Sequence, residues 1–130
     1  MKQVISILIP CYNSEKYIAE ALDSVFCQTW EEKEVIVVND ESIDKSKEIL
    51  NEYKKKGIQV ISSDTPLRSA AKARNLAYKY SSGEYIKFFD ADDLLHPEMI
   101  QRQMEQLGNS KTDVATSGWG RFYGDDMATY

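Results

Sequence analysis

The chain has 130 residues, of which 42% are hydrophobic and 28% charged, the make-up of one globular domain with a single core. Lys and Arg number 16 against 21 Asp and Glu, and the net charge of -5 weighs against a nucleic-acid partner while leaving open a phosphate ligand held through a cation. No apolar stretch approaches the roughly 20 residues of a membrane span, and Cys11 and Cys27 are too few for a disulfide framework and lack metal-ligand spacing.

Met1 to Ile9 reads as a strand and not as a signal peptide, because its apolar run is short and no small-residue cleavage site follows. Within it Val4–Ile9 is nearly continuous in apolar character, as in a strand buried on both faces, and Pro10 is expected to end it. Asn13 and Ser14 offer caps for a helix, with Glu15 at its positive end, and Ile18, Ala21, Leu22, Val25 and Phe26 form its apolar face. Glu34–Val38 is a second buried strand. A polar turn, Asn39–Asp44, leads to a helix with Ile49, Leu50 and Tyr53 inward and Gly57 as its stop. Ile58–Ser62 is a third strand. After Asp64, Thr65 and Pro66 comes a helix with Ala73, Leu76, Ala77 and Tyr80 on one face, ended by Gly83. Glu84–Phe89 is a fourth strand. Pro97 suits the first position of a helix with Ile100, Met104 and Leu107 inward, closed by Gly108, and Asp113–Ser117 reads as a fifth strand. From Trp119 to Tyr130 the periodicity is weak, and residues 1–130 read as one domain cut from something longer.

Strands and helices alternating at this spacing predict an α/β fold, a mainly parallel sheet with helices on both faces. Such sheets bind ligands beyond the carboxyl ends of their strands. Three polar clusters fall at those ends: Pro10 to Asn13, Asn39 to Ser42, and Asp90 to Asp93.

The last cluster places three carboxylates directly after an apolar strand. Their mutual repulsion is what a hard divalent cation offsets, Mg or Mn being suited to oxygen ligands and substrate phosphates. The plainer alternative is that these aspartates cap the next helix, although three are more than a cap requires. Asp40 can accept hydrogen bonds from a base or a ribose, and Tyr12 can stack on a base; a turn residue and a half-buried aromatic are the plainer alternatives. Arg68 and Lys72, four apart near the start of a helix, can neutralise a diphosphate or form a solvated basic face. His96, the only histidine, precedes Pro97 and suits capping better than proton transfer.

The order Ile5–Asn13, Gln28–Thr29–Trp30, Glu34–Ser42, Ala73–Arg74–Asn75 and Ser82–Asp93 resembles glycosyltransferase family 2. The resemblance runs from about Ile5 to about Ser117. It implies a GT-A (Rossmann-like) fold and an inverting, metal-dependent transferase using a nucleotide-diphosphate sugar, with UDP the expected nucleotide. It implies nucleotide contacts from Tyr12, which would stack on the base, and Asp40, which would hydrogen-bond it, with Pro10 shaping the loop. Asp90 and Asp92 would form the D-x-D pair on Mn or Mg, Asp92 as the metal contact and Asp90 nearer the ribose. Arg74 would face the diphosphate or support the aspartate loop. A glycan or glycolipid acceptor is implied, with the whole enzyme in the cytoplasm at the membrane face.

Where many relatives carry Asp-Gly-Ser, this chain has Asp40–Glu41–Ser42, and a positive φ at Glu41 would cost about 1 kcal/mol. No general base is assigned; Asp125 and Asp126 are the only late carboxylates, and the resemblance gives neither that role. Two other readings are a nucleotidyltransferase, which would carry a glycine-rich basic loop after the first strand, and a module that binds nucleotide and metal without turnover.

Overall fold

The computed structural model describes residues 3–63, 65–109, 114–116 and 118. Four strands and four helices alternate: β1 (Ile5–Cys11), α1 (Ile18–Phe26), β2 (Lys33–Asn39), α2 (Ser46–Lys54), β3 (Gln59–Ser62), α3 (Ala70–Lys79), β4 (Tyr85–Phe88) and α4 (Met99–Asn109). The strands form one parallel sheet in the order β3-β2-β1-β4. The two most apolar runs of the sequence, β1 and β2, are the two central strands, as burial on both faces demands.

Alternation along those strands sorts the core into two layers. Ile5, Ile7, Ile9, Val35 and Val37 face α1, α2 and α4 through Ile18, Leu22, Val25, Leu50, Ile100 and Met104. Leu8, Ile36 and Val38 point the other way, against Ala73 and Ala77 of α3. The small alanines let α3 lie close to the sheet, which matters below because α3 carries Arg74. Helices therefore cover both faces, as the alternation of elements predicts.

Several punctuation marks in the sequence do different work from the one expected of them. Pro10 does not end β1, which continues to Cys11 and pairs with β2 throughout. Its missing N–H is tolerated because pairing with β4 stops earlier, at Leu8 and Phe88. Gly57, with φ of 109°, does close the turn after α2. Gly83 does not end α3, which stops at Lys79. It instead lets the chain pass close to β1: a Cβ there would lie 2.5 Å from Ser6 Oγ and 2.8 Å from Ser6 N, so no other residue fits without movement. Its N–H donates to Ser6 Oγ, which in turn donates to Glu34, and the Glu34 carboxylate accepts from both the N–H and the hydroxyl of Ser82. Burial alone would push the Glu34 carboxyl up, but these hydrogen bonds outweigh it and hold the group below its usual range.

Tyr80, expected on the inner face of α3, is largely exposed. Pro97 lies in the turn just before α4, and Gly108 is still helical one residue before the helix ends. Residues 114–116 of the expected fifth strand are not in a strand. Asp113 and Ser117, together with Asp125 and Asp126, lie outside the described residues. Among the described residues, no helix is long and apolar enough to cross a membrane.

Candidate functional site

The loops after all four strands gather at the carboxyl edge of the sheet, around a cavity of about 950 Å³. The six residues to which the resemblance gives nucleotide or metal contacts line it: Pro10, Tyr12, Asp40, Arg74, Asp90 and Asp92. Tyr12 is 62% exposed, so its ring is not a buried packing residue, and Tyr17 and Ile43 add further exposed apolar surface beside it. Among the described residues, the non-glycine positions with positive φ are Asn13, Glu41 and Arg68, and all three line this cavity. Backbone held in such conformations clusters where a ligand or a reaction requires it. Glu41 has φ of 47°, the strain expected from its replacement of a glycine.

The first two loops are clasped together. Asn13 N–H donates to Ser42 Oγ while Ile43 N–H donates to Asn13 Oδ1. Ser14 N–H donates to Ser46 Oγ, and Glu15 and Asp44 exchange backbone donors, Glu15 N–H going to Asp44 and Lys45 N–H to Glu15. The sequence offers Asn13 and Ser14 as caps for α1 and Glu15 as a charge at its positive end. Ser14 caps α1 only through its backbone carbonyl, and the Glu15 carboxylate serves the amino end of α2 instead. Cys11, at the root of this clasp, is buried, and burial pushes its thiol up, away from the thiolate form.

Asp40 is 8% exposed and holds the loop that follows β3. Its Oδ1 accepts from Ser63 Oγ at 3.1 Å and from Leu67 N–H at 2.8 Å, and its Oδ2 from Arg68 N–H at 3.0 Å. Burial favours the protonated form, but these donors and the nearby Arg68 charge prevail and keep the carboxyl below its usual range. Leu67 contributes only its backbone, a role with no side-chain signal in the sequence. Arg68 precedes α3 and has φ of 54°, so it does not share a helix face with Lys72; Arg68 lines the cavity and Lys72 does not.

At the opposite side, carboxylate oxygens of Asp90, Asp92 and Asp93 all lie within 4.8 Å of one another. Burial and then the charges of Asp92 and Asp90 push the Asp93 carboxyl up, the repulsion anticipated for this cluster. Arg74 Nη2 donates to Asp90 Oδ1 at 2.7 Å and so ties α3 to the aspartate loop. Its Nε–H is buried without an acceptor among the described residues. Three oxygen-only donors in one small space, of which one arginine neutralises a single charge, fit a hard divalent cation. His96 is exposed; its Nδ1 accepts from Glu98 N–H and its carbonyl from Gln28, a capping role.

An all-parallel sheet with this acidic loop at its carboxyl edge is the GT-A type of glycosyltransferase fold, and the solved structures that resemble it bear this out. TarS of Staphylococcus aureus, solved with UDP, superposes with a TM-score of 0.79 at 35% identity over 87% of this chain and 34% of that one; it has also been solved with UDP-GlcNAc. The mannosyltransferase PcManGT of Pyrobaculum calidifontis, solved with GDP-Man and Mn2+, gives 0.66 at 25% identity over 72% of this chain and 29% of that one. The chain belongs to glycosyltransferase family 2, whose model, described as "Glycosyl transferase family 2", matches residues 6–129. It is also 42% identical over 114 residues to a poly(ribitol-phosphate) beta-glucosyltransferase of Bacillus spizizenii, covering 85% of this chain and 18% of that protein. The chain thus spans well under half the length of each of these proteins.

Proposed function

We propose that this chain forms the nucleotide-sugar site of an inverting transferase that moves a sugar from a UDP-sugar to an acceptor hydroxyl with the help of a divalent cation. One observation carries the reading: a single cavity brings an exposed aromatic ring, Tyr12, and a buried ionised carboxylate, Asp40, together with Asp90 and Asp92 of the aspartate cluster. The chemistry of the three parts differs and suits the parts of one ligand. Tyr12 offers a ring face to a base. Asp40 retains acceptor capacity on a carboxylate whose orientation is already fixed, and a uracil N–H matches it. Asp92, with Asp90 and Asp93, would hold the cation, Mn or Mg. When bound, that cation neutralises the diphosphate and makes it a better leaving group.

The TarS complexes with UDP and UDP-GlcNAc support uracil over guanine, and the Mn2+ in PcManGT supports metal dependence. The acceptor is a glycan, a glycolipid or a polyol-phosphate polymer, the last of these suggested by the name of the Bacillus spizizenii relative. None of the described carboxylates is assigned the base that deprotonates the acceptor. Binding without turnover is therefore a reading that the cavity by itself supports equally well, and an assay for sugar transfer separates the two.

The direct test is calorimetric titration of UDP into the protein with Mn present, then with Mn removed by chelator. Binding in the first case and its loss in the second is the expected result. Equal affinity in both would remove the cation from the reading, and failure of both UDP and GDP to bind would overturn the nucleotide site itself.

A further inference from the structure

The guanidinium of Arg74 is the one cationic group bound to a member of the aspartate cluster among the described residues, and it takes Oδ1, one of the two oxygens that Asp90 can offer a cation. Two features make that arrangement look temporary. The pair is open to water, the Arg74 side chain being 34% and the Asp90 side chain 48% exposed, and an ion pair this open is weak enough to be exchanged for another. The guanidinium is also incompletely satisfied, because its Nε–H is buried with no acceptor among the described residues. An arginine kept only to brace a loop would be expected to pair its buried donors.

Resting on the cation and diphosphate reading above, we infer that Arg74 is a positioning residue that competes with the cation for Asp90 until a diphosphate arrives. The nucleotide's phosphates then take the guanidinium, whose planar fork matches phosphate oxygens. Asp90 is released to the cation. Cation and nucleotide binding reinforce each other through this exchange, in addition to any direct contact between them, and the reinforcement is reciprocal by linkage. The ordering also spares the protein from holding a cation tightly at a site that has no substrate in it.

The test is Mn titration of the full chain, followed by electron paramagnetic resonance of free Mn, with and without saturating UDP. Arg74→Gln removes the competing charge, and Mn alone should bind about fivefold tighter than to the wild type, because a unit charge a few ångströms from a carboxylate cluster is worth that much or more. The factor by which UDP tightens Mn should fall by a similar amount in Arg74→Gln. Arg74→Lys keeps the charge but loses the fork, and its affinity for Mn alone should lie between the two. A series in which the wild type binds Mn alone as tightly as either variant, or more tightly, overturns the inference and leaves Arg74 as a brace. A wild-type chain that takes up no Mn at millimolar concentration overturns the cation reading, and this inference falls with it.

Discussion

Asp92→Ala is expected to weaken UDP binding in the presence of Mn by roughly a hundredfold, about 2.7 kcal/mol, while leaving the fold intact. The carboxylate is exposed at the tip of the loop after β4 and contributes nothing to the two core layers. Its loss removes one oxygen donor and one of the three negative charges in the cluster, and changes to residues that merely support a metal's ligands already cost ten- to a hundredfold in affinity. The measurement is the same calorimetric titration, with circular dichroism to confirm that the variant is folded. If the affinity for UDP with Mn stays within twofold of the wild type, Asp92 is not a cation ligand. Whatever residual affinity for UDP remains in chelator should be the same for the two proteins, which separates loss of the cation from damage to the base end of the cavity.

Asp40→Ala has a comparable cost, felt first as stability. The buried carboxylate accepts hydrogen bonds from Ser63, Leu67 and Arg68, and these tie down the loop that leads into α3. Removing it leaves two backbone N–H groups without their acceptor and releases the strained conformation at Arg68. Hydrogen bonds to a charged group contribute about 1.5–3 kcal/mol each, and solvent recovers part of that for an exposed loop, so a net loss of about 3 kcal/mol is expected in urea denaturation. The pH dependence follows from the sign of the shift. Because the folded state holds Asp40 below its usual range, its stabilisation is complete at neutral pH and is lost as pH falls below about 4. Asp40→Ala should therefore show a shallower loss of stability in acid than the wild type. A variant as stable as the wild type at pH 7, or one with the same acid profile, would mean that the loop is held by other contacts.

The layered sheet was legible because burial on both faces leaves a plain mark: apolar residues without alternation in Val4–Ile9 and Glu34–Val38, and 3.6-residue spacing in between. The strand-end residues of the site were legible for a topological reason, since a parallel sheet sends every strand's carboxyl end to one edge. What could not be read is whatever depends on a partner distant in the chain. Glu15 looks like a cap for the helix that follows it, yet its carboxylate meets Lys45 N–H thirty residues on. Gly83 looks like a helix stop, and only the approach of Ser6 shows why it must be glycine. Arg68 has the spacing of a helical residue relative to Lys72, but the two N–H groups taken by Asp40 hold its loop out of the helix. Glu41 was legible as strain and as nothing more, because a positive φ is a property of the backbone that a glutamate conceals.

The place of β4 in the sheet also sets an order of events. The Ser6–Glu34 contact that accompanies the pairing of β1 with β2 spans 28 residues, whereas the Ser6–Gly83 contact that brings β4 against β1 spans 77. Closing the longer loop costs about 0.9 kcal/mol more in chain entropy, and the short β4, with four residues against seven in β1 and β2, has fewer pairings to repay it. Strands β1 to β3 are therefore expected to assemble first and β4 to dock last, and pulsed hydrogen exchange should register late protection of Tyr85–Phe88. In that order the Tyr12 and Asp40 side of the cavity would take shape before the aspartate loop. The two sides of the cavity would then mature at separate times, the clasped loops after β1 and β2 ahead of the aspartate loop that β4 delivers.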